Sequence, residues 1–270
     1  MLTRTISGFF LIVILFALLY FGGYVLLAAL LTFSLIGLYE YNKAISAEHK
    51  PFAWLGYIAC AAYYAILFFR PEAVVEQAYG FLFLIVFFLV LMIAAVFAYP
   101  ERRFEDAFLT FSGTVYVAVL FSFLFFVRRR DHGFTYVWFI FWAAWGSDTF
   151  AYLCGRAFGK HKLVPKLSPN KTIEGAVGGV IGAAVLCVVY GLLVRGQLGM
   201  DTAQVLMLAI PVGICGAVLG QTGDLFSSAI KRFMDIKDFG HLIPGHGGIL
   251  DRFDSILLSG TVVALVLMLI

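Results

Sequence analysis

Apolar runs of about twenty residues recur along the chain, separated by short polar breaks. A helix needs about 20 such residues to cross the hydrocarbon core, where no water satisfies open backbone groups. The runs fall at roughly 6–21, 24–42, 53–69, 79–99, 107–127, 133–155, 173–196, 203–223 and 251–270, giving nine spans. Gly22-Gly23, between the first two, marks a tight turn or a kink, and a kink would leave eight. Only 13% of residues are charged, against about 25% in soluble domains. No polar stretch is long enough to bury a core of its own. These features predict an all-α, polytopic integral membrane protein with about nine transmembrane helices. Met1 to Arg4 and the run after it resemble a signal peptide, but no small-residue cleavage site follows. We expect a retained first helix.

The four cysteines, Cys60, Cys154, Cys187 and Cys215, lie in apolar segments without a C-x-x-C pair. They read as small buried hydrophobes, with neither disulfides nor zinc expected. The basic residues divide unevenly between the two faces. Over nine spans, 14 of the 19 Lys and Arg residues fall on one face and five on the other: Arg70, Arg128, Arg129, Arg130 and Arg195. The positive-inside rule puts the richer face in the cytoplasm. The triple Arg at 128–130 is discordant with that rule.

Two polar clusters interrupt the oil, both on the basic face. Charge within or beside a bilayer is costly and is usually there for function. The first runs from Trp145 to Gly175. Asp148 lies inside an apolar span and needs a cation or a donor; Ser147 beside it tunes the site. Arg156, Lys160, His161, Lys162, Lys166 and Lys171 follow. Ser168-Pro169-Asn170-Lys171-Thr172-Ile173-Glu174 reads as a helix start, with Ser, Asn or Thr as cap and Glu in the first turn. A helix start with Lys and Thr at its mouth suits an anion. Gly175, Gly178, Gly179 and Gly182 recur at the small-residue spacing of close helix packing.

The second cluster covers the 27 residues from Ser228 to Asp254, S-A-I-K-R-F-M-D-I-K-D-F-G-H-L-I-P-G-H-G-G-I-L-D-R-F-D. If the preceding helix continues through Gly223, Asp224, Ser228 and Lys231 share one face. Gln221 and Thr222 extend that polar patch by a turn. Asp251, Asp254 and Ser255 share a face at the start of the last span. Between these helices lie Lys237, Asp238, His241, Pro244 and His246. The glycines of G-H-G-G let backbone approach a phosphate. Carboxylates on separate helices, ringed by at least six basic residues, suit a nucleoside triphosphate. Asp holds metal ions that bridge phosphate oxygens, while Lys and Arg neutralise the rest. Neither a Walker sequence nor H-E-x-x-H is present.

The second cluster resembles the signature of the phosphatidate cytidylyltransferase (CDP-diacylglycerol synthase) family. The matching positions are Ser228, Lys231, Arg232, Lys237, Asp238, Gly240, Pro244, His246, Gly247, Gly248, Asp251, Arg252 and Asp254. S-D-T-F-A-Y-L-C-G-R-A-F-G-K and L-S-P-N-K-T-I-E-G look like the family's upstream block, with Asn170 where Lys is usual. The resemblance covers residues 145–255; the first 140 residues are only generically similar. It implies CTP plus phosphatidic acid giving CDP-diacylglycerol and pyrophosphate, a Mg²⁺ requirement with one or two ions, and a homodimer. It divides the chain into N-terminal transmembrane helices (1–132) and a catalytic transmembrane region (133–270).

Lys231, Arg232, Asp224 and Asp251 are the expected catalytic residues. Asp224 and Asp251 are the main metal ligands, with Asp148 and Asp254 next. Lys171 and Arg252 would hold phosphates, with Lys237, His246 and Ser228 also lining the substrate. Arg156 and Lys166 would hold phosphate or meet the lipid headgroup. The expected setting is a bacterial inner (plasma) membrane, with the active site facing the cytoplasm and no nucleic-acid partner. A CTP-dependent lipid-alcohol kinase would share the nucleotide chemistry but wants a base for its hydroxyl. An organic-anion transporter would gather charge at the midplane, whereas here it gathers at the cytoplasmic ends.

The partition of basic residues generates a topological expectation. A reporter inserted near Lys162 reports the cytoplasm, and one fused after Ile270 reports the opposite side. A cytoplasmic signal from the second fusion would make the count even.

Overall fold

The computed structural model describes residues 2–76 and 78–270. Met1, at the head of the expected first helix, and Gln77 lie outside the described residues. So does the side chain of Arg4, one of the basic residues in the partition. Every apolar run marked by the sequence is helical: α1 (Leu2–Phe21), α2 (Gly23–Ile45), α3 (Ala53–Phe69), α5 (Tyr79–Phe97), α6 (Phe104–Thr114) with α7 (Leu120–Arg129), α8 (Gly133–Phe158), α9 (Ile173–Leu198), α10 (Thr202–Phe233) and α11 (Leu250–Leu269). A one-turn helix, α4 (Pro71–Glu76), precedes α5, and a π-helical turn at Val115–Val119 joins α6 to α7.

Among the described residues, six helical stretches are long and apolar enough to cross a membrane: Gly23–Ile45, Tyr79–Phe97, Phe104–Arg129, Ile173–Leu198, Thr202–Phe233 and Leu250–Leu269. Ser7–Phe21 and Ala53–Phe69 are apolar but shorter. Gly22 and Gly23, with φ of 59° and 48°, separate α1 from α2. Side-chain-bearing residues rarely adopt that geometry, so the double glycine is what ends α1 there.

Two expectations need correction. Cys215 is exposed and Cys154 only partly buried, whereas Cys60 and Cys187 are buried as expected. Ser168 does not open a helix. Lys162–Val164 (β1) and Ser168–Thr172 (β2) form a small antiparallel hairpin, pairing Lys162 with Thr172 and Val164 with Ser168. The difference lies in the backbone pairing: the run from Ser168 is taken up by β1, and even the Ile173 N–H still donates across to the His161 carbonyl at 2.9 Å. The helix begins five residues after Ser168, at Ile173. Thr172 is its cap, the hydroxyl accepting from the Gly175 N–H at 3.1 Å. The all-α architecture holds with this one addition.

The chain forms two compact units. The first comprises Met1–Ser122 with Met234–Asp251, the second Phe123–Phe233 with Arg252–Ile270. In the first, Phe52, Leu55, Ala59, Phe87, Leu91 and Ala107 make a buried cluster. Asp106 closes one end of it, accepting from the N–H groups of Lys50 (3.1 Å) and Arg103 (2.9 Å). Arg102 donates to the Lys50 and Pro51 carbonyls and lies over the Phe52 ring. Two bonds, Ser34 to Tyr64 and Tyr63 to Ser122, each 2.9 Å, pair hydroxyls within the apolar core. Neither group would find water there.

In the second unit, α9 lies along α8 through its glycines. A Cβ at Gly175 would meet the Ala151 carbonyl, at Gly178 the Cys154 side chain, at Gly179 the Ser147 carbonyl and at Gly182 the Phe150 ring. Gly213 of α10 backs directly onto Ala184. Lipid tails are as apolar as these helices, so close van der Waals packing replaces the hydrophobic effect in holding them together. Gly182→Val should therefore cost about 1–3 kcal/mol, the usual penalty for overpacking. Gly196 of the same helix has nothing within 4 Å of a Cβ. Gly196→Ala should hold or raise stability, by up to about 1 kcal/mol. Thermal unfolding in detergent compares the two.

Candidate active site

The second unit carries a pocket of about 470 Å³ where the C-terminal half of α8, the hairpin, the start of α9 and α10 converge. Asp148, Tyr152 and Arg156 line it from α8, at i, i+4 and i+8 on one face. Asn170, Lys171 and Thr172 line it from β2, and Gln221 from α10. Glu174 fixes the hairpin from below. Its carboxylate accepts from the Lys160 and His161 N–H groups and lies 2.7 Å from the His161 ring. Gln221 ties the back wall, its amide nitrogen donating to the Ser147 hydroxyl (2.8 Å) and the Ala176 carbonyl (3.1 Å).

Lys171 reaches across to Asp224 on α10, 2.5 Å away. Both side chains are about one-third exposed, at 29% and 33%. A partly exposed ion pair of this kind is worth about 1 kcal/mol or less. A ligand that brings its own charges can therefore exchange both partners at little cost. Asp148 lies within electrostatic range of both Asp224 and Lys171.

The helix bearing Asp224 continues unbroken to Phe233, which meets the condition for Asp224, Ser228 and Lys231 to share one face. Asp254 follows on α11, buried, its carboxylate accepting from the Ser255 N–H at 2.8 Å. It lies within electrostatic range of Asp224 and Lys231. Gly223 makes this possible: a Cβ there would strike the Asp254 carbonyl. Farther along the same helix contact, Ser259 donates to the Gly216 carbonyl at 2.9 Å. Asp148, Lys171, Asp224, Lys231 and Asp254 thus form one charged neighbourhood. Arg156, Arg232, Arg252 and Lys166 are exposed, Lys166 at the turn of the hairpin.

The remaining site residues belong to the first unit. Lys237 is exposed. Gly245 and Gly247 take φ of 78° and 89°, which closes a tight loop with an Ile243–Gly247 bridge. His246 packs on α1, with its Nδ1 2.8 Å from the Ser7 hydroxyl. That hydroxyl donates its one proton to the Pro244 carbonyl at 3.0 Å. Asp251 is 7% exposed, and its Oδ2 accepts from the Phe239 N–H (2.9 Å) and the Gly248 N–H (3.0 Å).

Glu40 was missed by reading the sequence. It sits in α2 and accepts from the Ile249 and Leu250 N–H groups. The signal was there, since Glu40 is an acid inside an apolar run, like Asp148. It also changes the account of the glycines. A Cβ at Gly240 or Gly248 would fall on the Glu40 carboxylate, so these two glycines admit a protein carboxylate to the backbone. Among the described residues, no group of three or more His, Cys, Asp or Glu stands close enough together to hold a metal ion.

Comparison with known proteins identifies the family of the chain. Residues 2–270 match the Cytidylyltransferase family. The phosphatidate cytidylyltransferase of Bacillus subtilis (strain 168) is 41% identical over 154 residues, which is 57% of this chain and 55% of that protein. The phosphatidate cytidylyltransferase of Staphylococcus epidermidis is 42% identical over 152 residues, 56% of this chain and 55% of its own length. That of Staphylococcus haemolyticus is 40% identical over 166 residues, 62% of this chain and 61% of its own. The aligned part thus spans only a little over half the length of these curated relatives. The family match, by contrast, runs through both compact units and takes in every charged residue described above, and on that extent the chain belongs to the cytidylyltransferase family.

Proposed function

We propose that this protein is a phosphatidate cytidylyltransferase, joining CTP to phosphatidic acid with release of pyrophosphate. The observation that carries the reading is the pocket that gathers Asp148, Arg156 and Lys171, with Lys171 paired to Asp224. Opposite charges held beside apolar helices suit two anionic reactants, one of them anchored in lipid. The names of the relatives favour the same reaction.

The phosphate of phosphatidic acid is an anionic nucleophile at neutral pH, so the reaction needs no strong base. Its oxygen forms a bond to the α-phosphorus of CTP, and the bond from that phosphorus to pyrophosphate breaks in line. The barrier is electrostatic, and groups fixed before the reaction lower it most. In this scheme Lys171 leaves Asp224 for a phosphate oxygen, and Lys231 with Arg232 meets the triphosphate. Arg156 and Arg252 neutralise further phosphate charge. Lys237, His246 and Ser228 complete the lining, and Lys166 on the hairpin meets the lipid headgroup.

Mg²⁺ fits the donor set. Its hard oxygen ligands are commonly one or two carboxylates together with substrate phosphates, so a cluster of three protein acids is not required. Asp224 and Asp251 would hold it, with Asp148 and Asp254 close to the charge. When bound, it would neutralise the pyrophosphate as that group departs. The reading also includes nine spans in a bacterial inner membrane, an active site facing the cytoplasm and a homodimer.

Asp224→Asn and Asp251→Asn should each abolish turnover while the protein stays folded and membrane-inserted. Pyrophosphate release from CTP, measured with and without phosphatidic acid, is the assay. Release that ignores phosphatidic acid, or activity that survives in either variant at saturating Mg²⁺, would refute the assignment concerned. Loss of a transition-state contact lowers kcat, and loss of uniform binding raises KM. Lys231→Ala should lower kcat by about 10²-fold or more, whereas Lys166→Ala should raise the KM for phosphatidic acid. If Lys166→Ala altered only the CTP parameters, the hairpin would belong to the nucleotide.

A further inference from the structure

Glu40 is 3% exposed and separated by 209 and 210 positions from the groups it holds. Its Oε1 accepts from the Ile249 N–H and its Oε2 from the Leu250 N–H, both at 3.0 Å. These donors stand at the N-terminus of α11, where backbone N–H groups have no partner within the helix. Asp251 Oδ2 takes the neighbouring Gly248 N–H. Two carboxylates thus hold three successive N–H groups, and the helix dipole favours their charge. Hydrogen bonds to an ionised acceptor are about twice as strong as neutral ones. The contact is also built for closeness, since a Cβ at Gly240 or Gly248 would overlap the Glu40 carboxylate.

The held segment carries Gly240, Gly245, Gly247 and Gly248. So many glycines make its backbone costly to order by propensity alone. We propose that Glu40 is a positioning residue. By capping α11 from another helix, it sets the conformation of residues 239–251 and with it the orientation of the Asp251 carboxylate. It acts through that segment and touches neither substrate nor metal.

The test uses the full-length, metal-free protein in detergent and follows amide hydrogen exchange. In Glu40→Gln the carboxamide keeps one acceptor and turns an N–H₂ toward the second donor. Exchange across 239–251 should rise about tenfold or more, while α9 keeps its wild-type rates. Gly248→Ala, which drives a methyl onto the same carboxylate, should give the same local pattern. The double variant should be no worse than the more severe single one. Turnover in Glu40→Gln should fall about tenfold or more, mainly in kcat. Glu40→Asp, which keeps the charge at shorter reach, should recover part of both losses.

Unchanged exchange at 239–251 would overturn the proposal. So would a rise spread evenly along the chain, which marks a merely structural acid, or a loosened segment with full turnover. Only the turnover arm rests on the proposed function. If the wild type transfers no cytidylyl group, that reading fails, and the exchange arm still decides the role of Glu40.

Discussion

A carboxylate among apolar helices has no water to answer it, and leaving it unanswered costs more than any single packing contact returns. Much of this fold follows from how its acids are answered. Glu40, Asp106 and Asp251, at 3%, 2% and 7% exposure, each accept from two backbone N–H groups. Backbone donors cannot swing away, so these three acids act as rivets. Asp106 joins the segments before α3 and α6, while Glu40 and Asp251 close the segment leading into α11. Asp224 is answered differently, by a lysine side chain at one-third exposure. A lysine has four rotatable bonds and can change partners. Glu40 and Asp106 on this footing belong to the scaffold and Asp224 to the reactive pocket, while Asp251, which the proposed function gives to the metal, is itself fixed in place by backbone donors.

The packing of the second unit depends on the same scarcity of water. With no hydrophobic drive between helices in lipid, α8, α9, α10 and α11 meet through Gly, Ala and Ser. Close approach brings Asp254 beside α10 and lets the Gln221 amide span from Ser147 to Ala176. Polar groups from separate helices therefore meet at the pocket because the residues around them are small. The pocket and the glycine contacts are consequences of one packing mode.

Local pattern carried much of this into the sequence. Helical spacing put Asp224, Ser228 and Lys231 on one face, and α10 continues as that required. Small-residue spacing marked the α8–α9 contact. Thr172 was among the expected caps, but the hairpin before it was not legible, because five residues around Pro169 carry too little periodicity to separate a strand from a helix start. Glu40 stood out as an acid in an apolar run, but what it binds was hidden for another reason. Its partners lie more than 200 residues away, and no windowed pattern links positions that far apart. The glycines of the second cluster were legible as places of close approach; what approaches at Gly240 and Gly248 was not.

The bond between α2 and the α11 start also has a bearing on biosynthesis. A ribosome makes residues 234–251 long after α2, with Ile249 lying 209 positions beyond Glu40, so the first compact unit stays incomplete until that segment has emerged. Closing a loop of about 200 residues costs only about 2 kcal/mol more than closing one of 20, so the long wait is thermodynamically mild. Its kinetic demand is larger. Until the start of α11 arrives, the nascent Glu40 must borrow donors from water or from the insertion machinery. The helices of the first unit therefore depend for their final seating on a segment translated long after them.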